Sequence, residues 1–205
     1  MIYKDAIIIL SIKRVTRGIN MNIRDLLEEN PVIAAVKNYE DLELALDSEL
    51  EVIFVLFGDL LNVKDISKKI SDKNKIGIVH VDLLEGITNK EVAIKFLKKE
   101  TSFKGIISTK SQVVKAAKSN GFISIQRIFV FDTLSLNNAK KHLMDECDAI
   151  EVLPGIIPKV IKELAKKSSK PIVSGGLIDA KEEIIMALNS GATCVSTTKK
   201  EIWNM

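Results

Sequence analysis

The sequence predicts an α/β fold, a single (β/α)8 TIM-type barrel of minimal length. Three observations predict it. Short apolar, β-branched runs alternate with charged amphipathic stretches, and the pair recurs eight times with no domain-sized interruption. The apolar runs are mostly continuous rather than alternating, as expected of strands buried on both faces. No glycine-rich dinucleotide fingerprint follows the first run, where an open doubly wound sheet would carry it.

The expected strands are 31–36, 52–57, 76–80, 105–108, 123–131, 149–153, 171–174 and 193–196. The fifth is long enough that either half could be its paired core. Thr88 with Glu91, Thr109 with Gln112, and Asp179 with Glu182 have the spacing of capping boxes, and Asn38 with Asp41 and Asn62 with Asp65 are weaker relatives. Gly121 and Gly191 stand where a left-handed helix end is expected. Ile157, Val160, Ile161 and Leu164 fall on one face of the sixth helix, the spacing a sheet-facing helix needs.

Residues 21–205 read as the barrel domain. Residues 1–20 read as an N-terminal extension or a misassigned start. The apolar run 6–12 lies between Lys4 and the cations Lys13, Arg14 and Arg17. It is far shorter than the ~20 apolar residues of a membrane span, and no small-residue cleavage site follows it. Met21 opens a stretch that reads better as a beginning.

Composition bounds the class. With 46% hydrophobic and 28% charged residues, the chain has the make-up of a folded globular protein, not a disordered one. A net charge of +3 neither announces nor excludes nucleic-acid binding, because a local basic patch matters more than the total. The two cysteines, Cys147 and Cys194, form neither a disulfide framework nor a metal-ligand spacing. They read as small buried hydrophobes in a cytoplasmic protein.

In this barrel class ligands bind at the carboxyl ends of the strands. The last two loops there carry Ser174, Gly175, Gly176 and Ser196, Thr197, Thr198. Glycines admit a ligand close to the backbone, and free amides cradle a phosphate, helped by the positive end of a short helix expected near Lys199. Read structurally, the same residues are a tight turn and a helix cap. Asp59, Asp82, Glu85 and Glu151 could meet at the mouth. Convergent carboxylates hold Mg²⁺ or do acid–base work. They equally bond ligand hydroxyls or pair with Lys37, Lys110 and Arg127, and this is the expectation, with no metal. His80 reads as a core or supporting residue. Lys110 and Arg127 are cations placed to neutralise a phosphate or an acid beside them.

The strings HVDLLEG (80–86), GIISTK (105–110), IQRIFVFD (125–132), IEVLPGIIPK (150–159), PIVSGGLI (171–178) and GATCVSTT (191–198) resemble the glycerol-3-phosphate-responsive antiterminator family. The resemblance runs from about Met21 to Trp203. It implies a regulator rather than an enzyme, without a cofactor. Such a protein binds glycerol 3-phosphate and a leader mRNA, and prevents early transcription termination in glycerol utilisation operons. Individual roles come from strand position, not from the resemblance. The loops 174–177 and 196–198 take the phosphate; Lys110, Arg127, Glu151, Asp82 and Glu85 take the hydroxyl end. For RNA the sequence has no known single-strand-binding signature and few aromatic residues to stack bases. It offers Lys159, Lys162, Lys166, Lys167 and Lys170, which read equally well as a solvated outer face. A homo-oligomer is left open. The competing reading is an isomerase, aldolase or phosphodiesterase acting on a small phosphorylated substrate; a flavin mononucleotide enzyme comes third.

Overall fold

The structure, a computed structural model, describes residues 22–141 and 146–203. The extension expected at 1–20 lies outside the described residues. A short helix, α1 (Ile23–Glu29), leads into eight strands. These are β1 (Val32–Val36), β2 (Val52–Val55), β3 (Ile76–His80), β4 (Gly105–Ser108), β5 (Ile123–Phe129), β6 (Ala149–Leu153), β7 (Ile172–Gly175) and β8 (Cys194–Thr197). All pair in parallel with their sequence neighbours, and β8 closes on β1. The predicted single (β/α)8 barrel is the observed fold. For the fifth strand, pairing with β6 runs from Ile125 to Phe129, so most of the long run is used.

Helices α2 (Tyr39–Asp47), α3 (Val63–Asp72), α4 (Glu91–Glu100), α5 (Ser111–Ser119), α6 (Thr133–Lys141), α7 (Pro158–Lys167) and α8 (Lys181–Asn189) follow the first seven strands in turn. On α7, Val160, Ile161 and Leu164 are buried against the sheet as their spacing requires. Two core layers result. Between sheet and helices lie residues such as Ile53, Ile66, Ile94, Ile150 and Leu164. Inside the barrel lie Ile33, Ala35, Val52, Phe54, Ile78, Ile107, Ile125, Ala149, Val173 and Cys194. Each fully buried Leu, Ile or Phe contributes ~1.5–3 kcal/mol over its exposed state. Leu26 and Leu27 of α1 join this interior cluster. Asn22 caps α1, and Arg24 donates to the Ser169 carbonyl below β7. The sequence reading missed this helix, although Ile23, Leu26 and Leu27 carry its i, i+3, i+4 signal.

The helix starts correct several expectations. Asn38 caps α2 as predicted, accepting from the Asp41 amide. Asn62 instead turns back to the Asp59 amide, because Asp59 and Asn62 satisfy each other in the preceding turn. Helix α4 starts after Lys90, so Thr88 caps nothing, and α5 starts after Lys110, with Thr109 engaged elsewhere. At α8 it is Glu183, not Glu182, that reaches back, to the amides of Asp179 and Ala180. Gly121 and Gly191 do end their helices with φ of +71° and +106°. The expected C-terminal helix is a 3-10 turn, Lys200–Ile202, too short to bring a macrodipole to the site. Trp203 closes it, its indole N–H donating to the Thr197 carbonyl at 2.9 Å. No helix among the described residues is long and apolar enough to cross a membrane.

Candidate functional site

Strand alternation builds the site. Counting in twos from the interior residues Phe54, Ile78, Ile125, Ala149, Val173 and Cys194 reaches Leu56, His80, Arg127, Glu151, Gly175 and Ser196. These form the upper interior layer, where the apolar barrel turns polar. Arg127 Nε donates to Glu151 Oε2 at 2.7 Å, and the Ser196 hydroxyl donates to Glu151 Oε1 at 2.8 Å. All three side chains are buried. The remaining guanidinium nitrogens of Arg127 have no partner among the described residues. Glu151 therefore fixes the arginine and leaves its Nη edge available.

Gly175 is required by this triad. A Cβ there would stand 2.5 Å from Ser196 Oγ and 2.9 Å from Glu151 Oε1. Gly176 and Leu177 then turn the chain through positive φ, +77° and +61°. Above the triad lies a cavity of about 200 Å³. Arg127, Glu151, Gly176, Ser196, Thr197 and Thr198 line it, so the predicted phosphate loops and two predicted polar residues do meet there. Ala35, Leu56, Leu153, Leu177, Ile178 and Asp179 complete the lining. The sequence reading had missed most of these, though strand parity points to Ala35, Leu56 and Leu153.

Other predicted residues have different surroundings. Ser174 has the opposite strand parity to Gly175, and its buried hydroxyl has no partner among the described residues. The Thr197 hydroxyl is spent, donating to the Ile178 carbonyl and accepting from the Lys199 amide. It ties the loops after β7 and β8 together, and only its backbone remains to offer. Asp82, Glu85 and Lys110 lie outside the cavity lining. The Asp82 carboxylate accepts from the Ser108 hydroxyl and from the amide and hydroxyl of Thr109. Burial opposes its charge, but these bonds outweigh burial and hold it below the ordinary carboxylate range. Glu85 is exposed, and its backbone bridges to Gly58 and Leu60. Asp59 organises its own turn, accepting from the amides of Leu61 and Asn62. Among the described residues no group of three or more His, Cys, Asp or Glu is placed to hold a metal.

His80 is buried in the same layer and Nδ1 lacks a partner among the described residues. Burial and the Arg127 charge push its pKa down to about 4, with Asp82 pulling the other way, so the ring is neutral at pH 7. Both cysteine thiols are pushed up by burial, Cys194 further by the Glu151 charge and Cys147 to about 11, which fits inert core residues. On α7, Lys159, Lys162, Lys166 and Lys167 are exposed; Lys170, beyond the helix at the base of β7, is half-buried.

Residues 32–203 match the family described as glycerol-3-phosphate responsive antiterminator. The chain belongs to that family. Among the antiterminators of known structure, the glycerol uptake operon antiterminator regulatory protein of Listeria monocytogenes is 33% identical with a TM-score of 0.78, over 84% of this chain and 94% of that one. A glycerol uptake operon antiterminator-related protein of Thermotoga maritima is 29% identical with a TM-score of 0.77, over 86% and 99%. The Escherichia coli K-12 protein YgcP is 44% identical over 90% of this chain and 97% of its own. The antiterminator family matches the resemblance read from the six strings, and its description is regulatory.

Proposed function

We propose that the protein senses glycerol 3-phosphate at the barrel mouth and, when loaded, binds a leader mRNA and prevents early termination in glycerol utilisation genes. One observation supports this most. The predicted phosphate loops and an arginine held by a buried carboxylate line one cavity, smaller than the ~300–1,000 Å³ of sites for drug-sized ligands. The phosphate lies against the backbone of Gly176 and Thr198 and the hydroxyl of Thr198, with Arg127 supplying the charge, while the Ser196 hydroxyl stays committed to Glu151. Glu151 positions Arg127 and accepts from a glycerol hydroxyl. This moves Arg127 from the hydroxyl end, where strand position had put it, to the phosphate.

Calorimetric titration tests the reading. Glycerol 3-phosphate binds and raises the melting temperature, by mass action on the native state, whereas glycerol does not. An equal response to both removes the phosphate assignment. Steady consumption of glycerol 3-phosphate in the same samples replaces the sensor by an enzyme.

A further inference from the structure

We propose that Phe129 and Phe131 form a platform on which unpaired bases of RNA stack, set beside the effector cavity. The proposal rests on the RNA reading above and gives it a surface. Phe129 is 52% exposed and Phe131 79% exposed, with exposed Leu134 next to them at the start of α6. Scattered single apolar residues are ordinary on a surface, but Phe129 at the end of β5, Phe131 in the loop that follows and Leu134 are three large exposed apolar side chains within six residues at a barrel mouth.

Charge selects the occupant. The order β4, β5, β6 places the loop bearing Phe131 between the loop of Lys110 and the loop that opens α7 at Lys159. Both lysines are exposed, and neither has a carboxylate within 4.0 Å among the described residues. Elsewhere on the barrel, Lys64, Lys69, Lys115, Lys118 and Lys140 each meet a carboxylate. Glu163 on α7 is ion-paired with Lys140 and also feels the charges of Lys159 and Lys166. Asp132 is engaged as well, accepting from the Ser135 amide at 2.7 Å. From Lys159, Lys162 and Lys166 continue along α7 at i+3 and i+7, the spacing of one helix face. Aromatic faces for bases, flanked by exposed cations for backbone phosphates, are what single-stranded nucleic acid requires.

The platform adjoins the cavity. Phe129 pairs with Leu153 across the β5–β6 ladder, and the Val130 amide donates to the Leu153 carbonyl. Leu153 lines the cavity and lies against Gly176. Leu153 thus borders both the cavity and the platform.

The test is photocrosslinking of a 4-thiouridine-labelled leader transcript of the host's glycerol utilisation operon, with and without glycerol 3-phosphate, beside filter binding of variants. Crosslinks are expected in the tryptic peptide 128–140. The Phe129→Ala/Phe131→Ala variant loses at least tenfold in RNA affinity while its melting temperature and its response to glycerol 3-phosphate stay unchanged. Phe131→Trp retains affinity and Phe131→Leu loses it, which separates stacking from apolar contact. Full affinity in the double variant, with the wild type binding the transcript, overturns the platform and leaves the RNA reading standing. A wild type that binds no transcript overturns both. Lost affinity accompanied by a fall in particle mass by light scattering assigns the patch to self-association and overturns the platform.

Discussion

Arg127 and Glu151 are register partners on adjacent strands, joined by a 2.7 Å hydrogen bond with both side chains buried. The pair is the charged floor of the cavity at the barrel mouth. Breaking the pair and replacing it whole have different consequences. Glu151→Ala leaves a buried guanidinium without its counter-charge and costs ~3–5 kcal/mol. The Arg127→Met/Glu151→Leu variant recovers most of that stability, because two buried charges are removed together, but it loses the thermal response to glycerol 3-phosphate. Urea unfolding with and without ligand measures both effects.

Gly175 tests how tightly the floor is packed. Gly175→Ala puts a methyl against Ser196 Oγ and Glu151 Oε1. Overpacking of this kind costs ~1–3 kcal/mol. The effector affinity drops with it, because the triad must open. A variant as stable and as responsive as the parent would show that the triad has room to spare.

His80 sets an acid limit. Its pKa is about 4 when folded, against 6.5 in the unfolded chain. The unfolded state therefore binds more protons between these values, and stability falls as pH drops from 6.5 to 4. The expected loss is roughly 3 kcal/mol, complete below the folded pKa. Asp82 and Asp148, held below the ordinary 3.8, withdraw their stabilisation only at lower pH. His80→Gln flattens the upper window in urea titrations at pH 7 and pH 4.5. An unchanged slope in that variant means another group titrates there.

Asp82 is an anchor in this structure. Three hydrogen bonds tie it to buried Ser108 and exposed Thr109, so Asp82→Ala leaves the Ser108 hydroxyl as one buried donor unpaired and costs ~1–3 kcal/mol. Hydrogen exchange rises first at Thr109 and Lys110, which the carboxylate holds in place. A variant that keeps its exchange pattern yet loses ligand selectivity puts Asp82 back among the ligand residues.

The exposed face of α7 gives a salt-dependent prediction. Changing Lys162, Lys166 and Lys167 together to Glu weakens transcript binding and flattens its salt dependence, since fewer phosphates are neutralised. Effector affinity is untouched, because none of the three lines the cavity. In the parent, effector and transcript strengthen each other by ~1–3 kcal/mol, equally in both directions. Transcript affinity that ignores glycerol 3-phosphate at every salt concentration ends the sensor model.

The sequence by itself determined the barrel, because continuous β-branched runs and the amphipathic stretches between them are local patterns that repeat at a fixed spacing. It also placed Gly176, Ser196 and Thr198, since a strand end followed by glycine or hydroxyl residues is written in consecutive letters. Only the tertiary structure decided which charges meet. Asp82 and Glu151 are both carboxylates near strand ends, yet one holds a loop and the other holds Arg127 from 24 residues away. The same holds for Thr197, spent on the neighbouring loop, and for Phe129 and Phe131, which a sequence reads as the end of a core strand. Strand register and barrel closure set those neighbours, and both depend on contacts between residues far apart in the chain.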